Sequence, residues 1–255
     1  CRCCERHGVR ACALPIFQPT TTKTKVALIG RPNVGKSFLF NTLAGKQQAV
    51  VANIAGTTRD LNRITINYHQ QPIEFIDTAG YRKPGKQQVG IEKFSVLRTL
   101  QAIEEADICV LVIDGTEYST QLDHKLAGII DEAGRGLIIA ISKSDLIPEK
   151  ETKDRIMRRI THDFQFTTYA PLIFTSSITG KNVAKLFDLT LDIMKRRQQT
   201  IPTRQLNQIL TEAKLKHPPA GLKNTYPKLR YMVQTDNSPP WFVVYGSNLK
   251  FLHWS

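Results

Sequence analysis

Gly30-Arg-Pro-Asn-Val-Gly35-Lys36-Ser37 stands between the apolar run Val26–Ile29 and the stretch Lys36–Leu43, whose apolar residues recur at helical spacing. These eight residues match G-x-x-x-x-G-K-[ST] in the context that gives the pattern its meaning, a strand before and a helix after. Glycines at both ends let backbone N–H groups curl around phosphate oxygens with no Cβ in the way. Lys36 is placed for β- and γ-phosphates and the Ser37 hydroxyl for Mg²⁺. The helix N-terminus adds its partial positive charge at the same point. The candidate phosphate-binding set is therefore Gly30, Arg31, Pro32, Asn33, Val34, Gly35, Lys36 and Ser37.

Outward from this turn the chain alternates short apolar runs with amphipathic stretches, the pattern of an α/β sheet covered on both faces. Strands are expected at Val26–Ile29, Ile64–Tyr68, Ile73–Ile76, Ile108–Ile113, Leu137–Ile141 and Pro171–Phe174. Helices are expected at Lys36–Leu43, Ile91–Glu105, Gln121–Glu132, Lys150–Thr161 and Val183–Met194. That inventory makes one doubly wound domain, residues 25–198. A boundary follows at Lys195-Arg-Arg-Gln-Gln-Thr200 and Ile201-Pro202. Beyond it a helix is expected at Thr203–Leu215 and a hairpin from Leu229–Gln234 and Trp241–Tyr245, an α+β unit spanning 201–255. Trp241, Phe242, Tyr245, Phe251 and Trp254 sit at strand spacing there, which favours the core of a small sheet over an RNA-stacking surface.

Composition narrows the function. The 41% hydrophobic and 22% charged content is that of a globular chain, which excludes wholesale disorder. The apolar runs fall far short of the ~20 residues that span a bilayer. Thirty-five Lys+Arg against 22 Asp+Glu give a net charge of +13, which favours a polyanionic partner such as RNA. Four of the five cysteines crowd Cys1–Cys12, and Cys109 stands alone in an apolar run as a buried thiol of a reducing compartment. No second cluster at ligand spacing follows the Cys-Arg-Cys-Cys start, which argues against a zinc site. Residues 1–24 open on Cys rather than Met and are expected to be non-native or disordered.

Further pieces fall at consistent distances from the phosphate turn. Asp77-Thr78-Ala79-Gly80 closes an apolar strand, where Asp77 would hold Mg²⁺ through water and the Gly80 N–H would meet a γ-phosphate. Thr57 and Thr58, in the polar loop Gly56–Asp60, supply a hydroxyl to complete the Mg²⁺ shell, with Thr58 the expected ligand. Ser142-Lys143-Ser144-Asp145 follows the strand Leu137–Ile141 and is similar to the guanine motif Asn-Lys-x-Asp. Asp145 can accept from guanine N1–H and its exocyclic amine, and Lys143 can lay its stem along the base. Ser142 replaces the Asn whose amide normally binds the base and steadies the phosphate turn. Ser176-Ser177 is similar to the short motif whose backbone N–H meets guanine O6.

Together with Gly90–Ile103, these motifs resemble the bacterial double-GTPase ribosome-assembly factors of the Der (EngA) family. The likeness is to the second GTPase domain and, through Pro202–Asn207 and His217-Pro-Pro219, to the start of the C-terminal KH-like domain. It implies a Ras-like P-loop fold, GTP and GDP, Mg²⁺, and GTP hydrolysis. It also implies action on the large ribosomal subunit, through rRNA and ribosomal proteins, by a monomer in the bacterial cytoplasm or an organelle, away from membranes. The first GTPase domain and the closing helix and strand of the KH-like domain have no counterpart, so a fragment is expected. Tyr81 occupies the place where many GTPases carry a water-orienting Gln. The resemblance groups the chain with GTPases that use K⁺ near Asn33, making Lys36, Asn33 and Gly80 the expected catalytic groups. An Era-like GTPase is the related alternative, and Gly56–Asp60 with Arg98–Ile103 fits Der better. From a different class, Ser142 and the truncation suit a nucleotide-sensing or catalytically impaired module that docks on RNA.

Overall fold

The computed structural model describes residues 23–46, 62–78, 91–147, 150–220, 225–237 and 239–251. Expectations for residues 1–22, Gly56–Asp60, Ala79-Gly80-Tyr81 and Trp254 lie outside them.

Every strand and helix expected from the apolar pattern is present, within a few residues at each end. The order is β1 (Thr24–Ile29), α1 (Lys36–Lys46), β2 (Asn62–Tyr68), β3 (Gln71–Asp77), α2 (Ile91–Glu105), β4 (Ile108–Asp114), α3 (Gln121–Glu132) and β5 (Gly136–Ser142). Then come α4 (Lys150–Asp163), β6 (Leu172–Phe174), α5 (Lys185–Arg197), α6 (Thr203–Lys216), β7 (Lys228–Asn237) and β8 (Pro240–Ser247). Six strands form one sheet in the order β2-β3-β1-β4-β5-β6. β2 runs antiparallel to β3, and every other pair is parallel.

The apolar character of β4 and β5 explains their place. All seven residues of each are buried, because a central parallel strand has helices over both faces and no polar side to alternate with. One core layer, containing Ala102, Ile103, Leu126 and Ile130, packs α2 and α3 on one face. The opposite layer, containing Leu39, Leu43, Leu186 and Phe187, packs α1 and α5 on the other. Phe187 stacks on Tyr68 with ring centroids 5.0 Å apart and meets Phe75 edge-on at 5.5 Å. Cys109 is fully buried in β4, and that burial pushes its thiol up to about 12.

The register brings the C-terminal ends of the central strands together. Leu28 of β1 lies opposite Asp77 of β3, and Asp114 of β4 lies opposite Ser142 of β5. β1 has its neighbours on opposite sides arriving by separate crossovers, so the crevice at its C-terminal end is the topological switch point where ligands bind in open α/β sheets.

The C-terminal unit is built differently. α6 buries Leu206 and Leu210 against the β7–β8 hairpin. Asn207 acts as a substitute strand: its Nδ2 donates to the Met232 carbonyl at 3.0 Å, and its Oδ1 accepts the Met232 N–H at 2.9 Å. Gln234 ties the connecting segment, donating to the Gln199 carbonyl at 3.1 Å and accepting from the Ile201 N–H at 2.8 Å. The expected aromatic core does not form here. Trp241, Phe242 and Tyr245 are exposed, because two strands and one helix leave most of the hairpin surface without a second layer among the described residues.

Candidate functional site

The phosphate turn adopts the backbone that its glycines permit. Gly30 has φ +150, and a Cβ there would meet the Val112 carbonyl oxygen at 2.4 Å, so the loop leaves β1 in contact with the end of β4. Gly35 has φ +99, where L side chains are strained, and Asn33 is left-handed at φ 65. α1 begins at the next residue, Lys36. Lys36 is buried along the turn and its Nζ donates to the carbonyls of Gly30, at 2.9 Å, and Arg31, at 2.6 Å. The ammonium therefore already sits across the mouth of the loop.

Ser37 opens outward from the first turn of α1, and its hydroxyl donates to Asp77 Oδ2 at 3.3 Å. Asp77 is buried at the end of β3, and the next residue, Thr78, donates to the Leu28 carbonyl at 2.9 Å, tying β3 to β1. A hydroxyl and a carboxylate converging beside the phosphate turn form a hard oxygen set, which suits Mg²⁺. Ser37 and Asp77 are thus brought together as the sequence predicts. Thr57, Thr58, Ala79, Gly80 and Tyr81 lie outside the described residues.

Arg31 turns away from the phosphate turn. Its Nε donates to Asp123 Oδ1 at 3.1 Å, Nη1 to Glu117 Oε2 at 3.0 Å, and Nη2 to the Glu117 carbonyl at 2.6 Å. Burial alone lowers the affinity of the guanidinium for its proton, but hydrogen bonds and charge from Glu117 and Asp123 outweigh it and raise the pKa above its ordinary value. Asp123 is fully buried and also closes a capping box with Thr120 at the start of α3. Arg31 thereby fastens the turn to the N-terminus of α3, a contact that spacing in the sequence does not announce because 92 residues separate the partners.

On the other flank, Ser142 ends β5 beneath the phosphate turn. Its hydroxyl, with a single proton to donate, has the Val34 carbonyl at 2.6 Å and the Ile113 carbonyl at 3.1 Å. The Asn expected to steady the turn is replaced, yet a tether from this position to the turn persists. Lys143, left-handed at φ 54, pairs with Asp114 at the end of β4. Burial pushes the Asp114 carboxyl up, but hydrogen bonds from Lys143 and Thr116 outweigh that and hold it below the ordinary carboxylate range. Asp114 belongs to none of the motifs, although a carboxylate ending an apolar run is a visible signal. Ser144 is buried and its N–H donates to the Thr175 carbonyl at 3.1 Å. Asp145 is exposed at the rim. Ser176 is fully buried, and its Oγ accepts the Thr179 N–H at 3.2 Å. The Ser177 carbonyl accepts from the Thr42 hydroxyl of α1 at 3.1 Å. The phosphate turn, the Ser37–Asp77 pair and the 142–145 and 175–178 loops thus share one edge of the sheet.

Residues 25–143 match the family model described as 50S ribosome-binding GTPase, and residues 200–255 match that of the KH-domain-like C-terminal region of EngA bacterial GTPase enzymes. GTPase Der of Chloroflexus aggregans is 44% identical over 233 residues, 91% of this chain and 52% of that protein. The chain is a homologue of the Der GTPases. It spans about half the length of the curated Der relatives that it matches. Among solved structures, a point variant of Aquifex aeolicus Era bound to GDP·AlF4⁻ aligns over 87% of this chain and 77% of that one, with TM-score 0.53 and 25% identity. Era in complex with MgGDPNP and a 16S ribosomal RNA segment aligns over 88% and 77%, with TM-score 0.54 and 24% identity, a likeness of fold. The Era alternative therefore shares the architecture, while the Der relatives carry the higher sequence identity.

Proposed function

We propose that this chain binds GTP and GDP with Mg²⁺, hydrolyses GTP, and serves the assembly of the large ribosomal subunit. The observation that carries the reading is the gathering of Gly30–Ser37, Asp77, Ser142–Asp145 and Ser176-Ser177 at one sheet edge, in a homologue of the Der GTPases. Residues 25–198 form the nucleotide domain and 201–255 the KH-like unit, in line with the two matched family regions. Ser37 and Asp77 would hold Mg²⁺, with Thr58 as a further ligand; bound there, the ion neutralises charge on the β- and γ-phosphates. Backbone N–H groups of the turn and Lys36 hold the phosphates, Gly80 donates to the γ-phosphate, and Asp145 reads the guanine edge. Asn33 is the described residue offered to K⁺, exposed on the turn.

The ribosomal part of the reading rests on the matched family description and on the +13 net charge. Among the described residues no helix is long and apolar enough to cross a membrane; action in the bacterial cytoplasm is proposed from the bacterial Der relatives. The test has two arms on the purified chain. Phosphate release from GTP with Mg²⁺ should be faster in K⁺ than in Na⁺, and Asn33→Ala should remove the difference. Co-pelleting with large subunits should weaken steeply as salt rises and strengthen with GTP over GDP. Binding without any phosphate release would point instead to a docking or sensing module. Binding that ignores both salt and nucleotide would refute the ribosomal switch.

A further inference from the structure

Arg31 occupies the first position that the G-x-x-x-x-G-K-[ST] pattern leaves open, and its backbone and side chain serve different partners. Inside the turn, its carbonyl accepts from Lys36 Nζ at 2.6 Å, beside the Gly30 carbonyl at 2.9 Å. Outside it, the guanidinium reaches Asp123 and Glu117. Gly30 has no side chain and Pro32 has no polar one, so Arg31 is the residue able to anchor this stretch by hydrogen bonds. The Lys36 ammonium thus lies on backbone whose course a distant contact fixes.

The acceptors of the guanidinium are themselves held. Asp123 is fully buried and divides its oxygens: Oδ1 takes the Arg31 Nε, while Oδ2 takes the Thr120 N–H at 3.1 Å and the Thr120 hydroxyl at 2.8 Å. Glu117 stands on the loop after β4, where its N–H donates to the Asp114 carbonyl at 3.3 Å. In the same loop Thr116 donates to Asp114 Oδ1 from its N–H at 2.9 Å and its hydroxyl at 2.7 Å. A planar guanidinium gripped at three nitrogens has its orientation fixed, as a single ammonium would not. Glu117 is exposed, so the buried Asp123 is the stronger anchor.

We propose that Arg31 is a positioning residue: anchored on the N-terminal end of α3, it holds the backbone that sets Lys36 Nζ across the phosphate turn, and so raises affinity for the phosphates of a bound nucleotide. The inference rests on the guanine-nucleotide reading above and adds Arg31, with Asp123 as its anchor, to the groups that the motifs specify. A cation already in place is not reordered when the phosphates arrive, whereas a displaced one loses attraction with distance.

Calorimetric titration of the full chain with GDP and Mg²⁺, and separately with inorganic pyrophosphate and Mg²⁺, tests it in Arg31→Met and in the double variant Arg31→Met, Asp123→Asn. The single variant strands a buried carboxylate, so its thermal midpoint should fall. The double variant leaves a neutral amide there, and the midpoint should recover. Affinity should not recover: both variants should bind GDP and pyrophosphate about tenfold more weakly than the parent. The NMR signal of the Lys36 ammonium, assigned by its loss in Lys36→Ala, should shift in both variants before any ligand is added. Affinity that returns with the midpoint in the double variant overturns the proposal, because Arg31 would then serve stability alone. A loss confined to GDP also overturns it, by placing the effect at the nucleoside. A parent chain that binds neither ligand refutes the guanine-nucleotide reading and the positioning role with it. A parent that binds both, beside variants of equal affinity, refutes the positioning role alone.

Discussion

The six-stranded α/β part and the C-terminal hairpin unit both contain apolar strands but use them in opposite ways. In the first, β4 and β5 are buried along their whole length between two helical layers, and Phe187 locks into Tyr68 and Phe75. In the second, one helix covers part of a two-stranded sheet, and Trp241 and Tyr245 remain 63% and 52% exposed. An isolated hairpin gains stability from a third strand or a packed layer. Side-chain amides supply part of what missing neighbours would, Asn207 to the backbone of β7 and Gln234 to the connecting segment. The lesson is that strand spacing marks which face is apolar, whereas the number of layers settles whether that face is covered.

The largest effect expected from this contrast falls on function in the α/β part. Lys36→Ala should abolish measurable binding of GTP and GDP, because the turn loses the side-chain cation that spans its mouth; equilibrium dialysis that finds near-parent affinity would sink the phosphate-site assignment. Stability comes next. Phe187→Ala should cost about 3–5 kcal/mol in urea unfolding, while Tyr245→Ala on the open hairpin should stay within ~0.5 kcal/mol. Similar losses at the two sites would mean that the hairpin is covered after all.

A smaller effect should follow at Ser142. Ser142→Ala removes a donor buried beneath the phosphate turn, which should cost about 1 kcal/mol and weaken GDP and pyrophosphate alike. Ser142→Asn, which restores an amide, should strengthen GDP and leave pyrophosphate nearer the parent value. Loss of guanine affinity with pyrophosphate untouched in the Ala variant would place Ser142 at the base and not under the turn.

The smallest effect is electrostatic. Arg63 donates to both oxygens of Glu105, at 2.8 and 2.7 Å, and these bonds hold the Glu105 carboxyl below its ordinary range against the opposing pull of burial. A depressed folded-state pKa stabilises the fold above the unfolded carboxylate pKa of about 4.3, and that share is lost as pH falls through the lower folded value. Arg63→Met should therefore lower stability slightly at neutral pH, and its deficit against the parent should narrow as the medium is acidified. Urea midpoints of both chains taken from neutral pH down to about pH 3 would show this. A deficit that stays constant across that range would remove the pair from the account.

Much of the α/β part was legible because its signals are local. Apolar runs of strand length, helical spacing and the Gly30–Ser37 pattern each sit within a few residues, and each specifies its own element. The order of motifs along the chain likewise anticipated that Ser37 and Asp77 would come together beside the phosphate turn. Other features were decided in three dimensions. Arg31 reaches Glu117 and Asp123, Ser142 keeps a tether although its residue type departs from the guanine motif, and Thr42 joins α1 to the loop before Ile178. The aromatic hairpin stays open although its spacing is that of a core. Sequence by itself determined which segments become strands and helices and which loops hold the phosphate-type and guanine-type motifs, because those properties depend on neighbours a few residues apart. Tertiary structure alone decided which side chains brace those loops and which apolar faces find cover, because partners 86 to 135 residues distant meet only once the sheet has assembled.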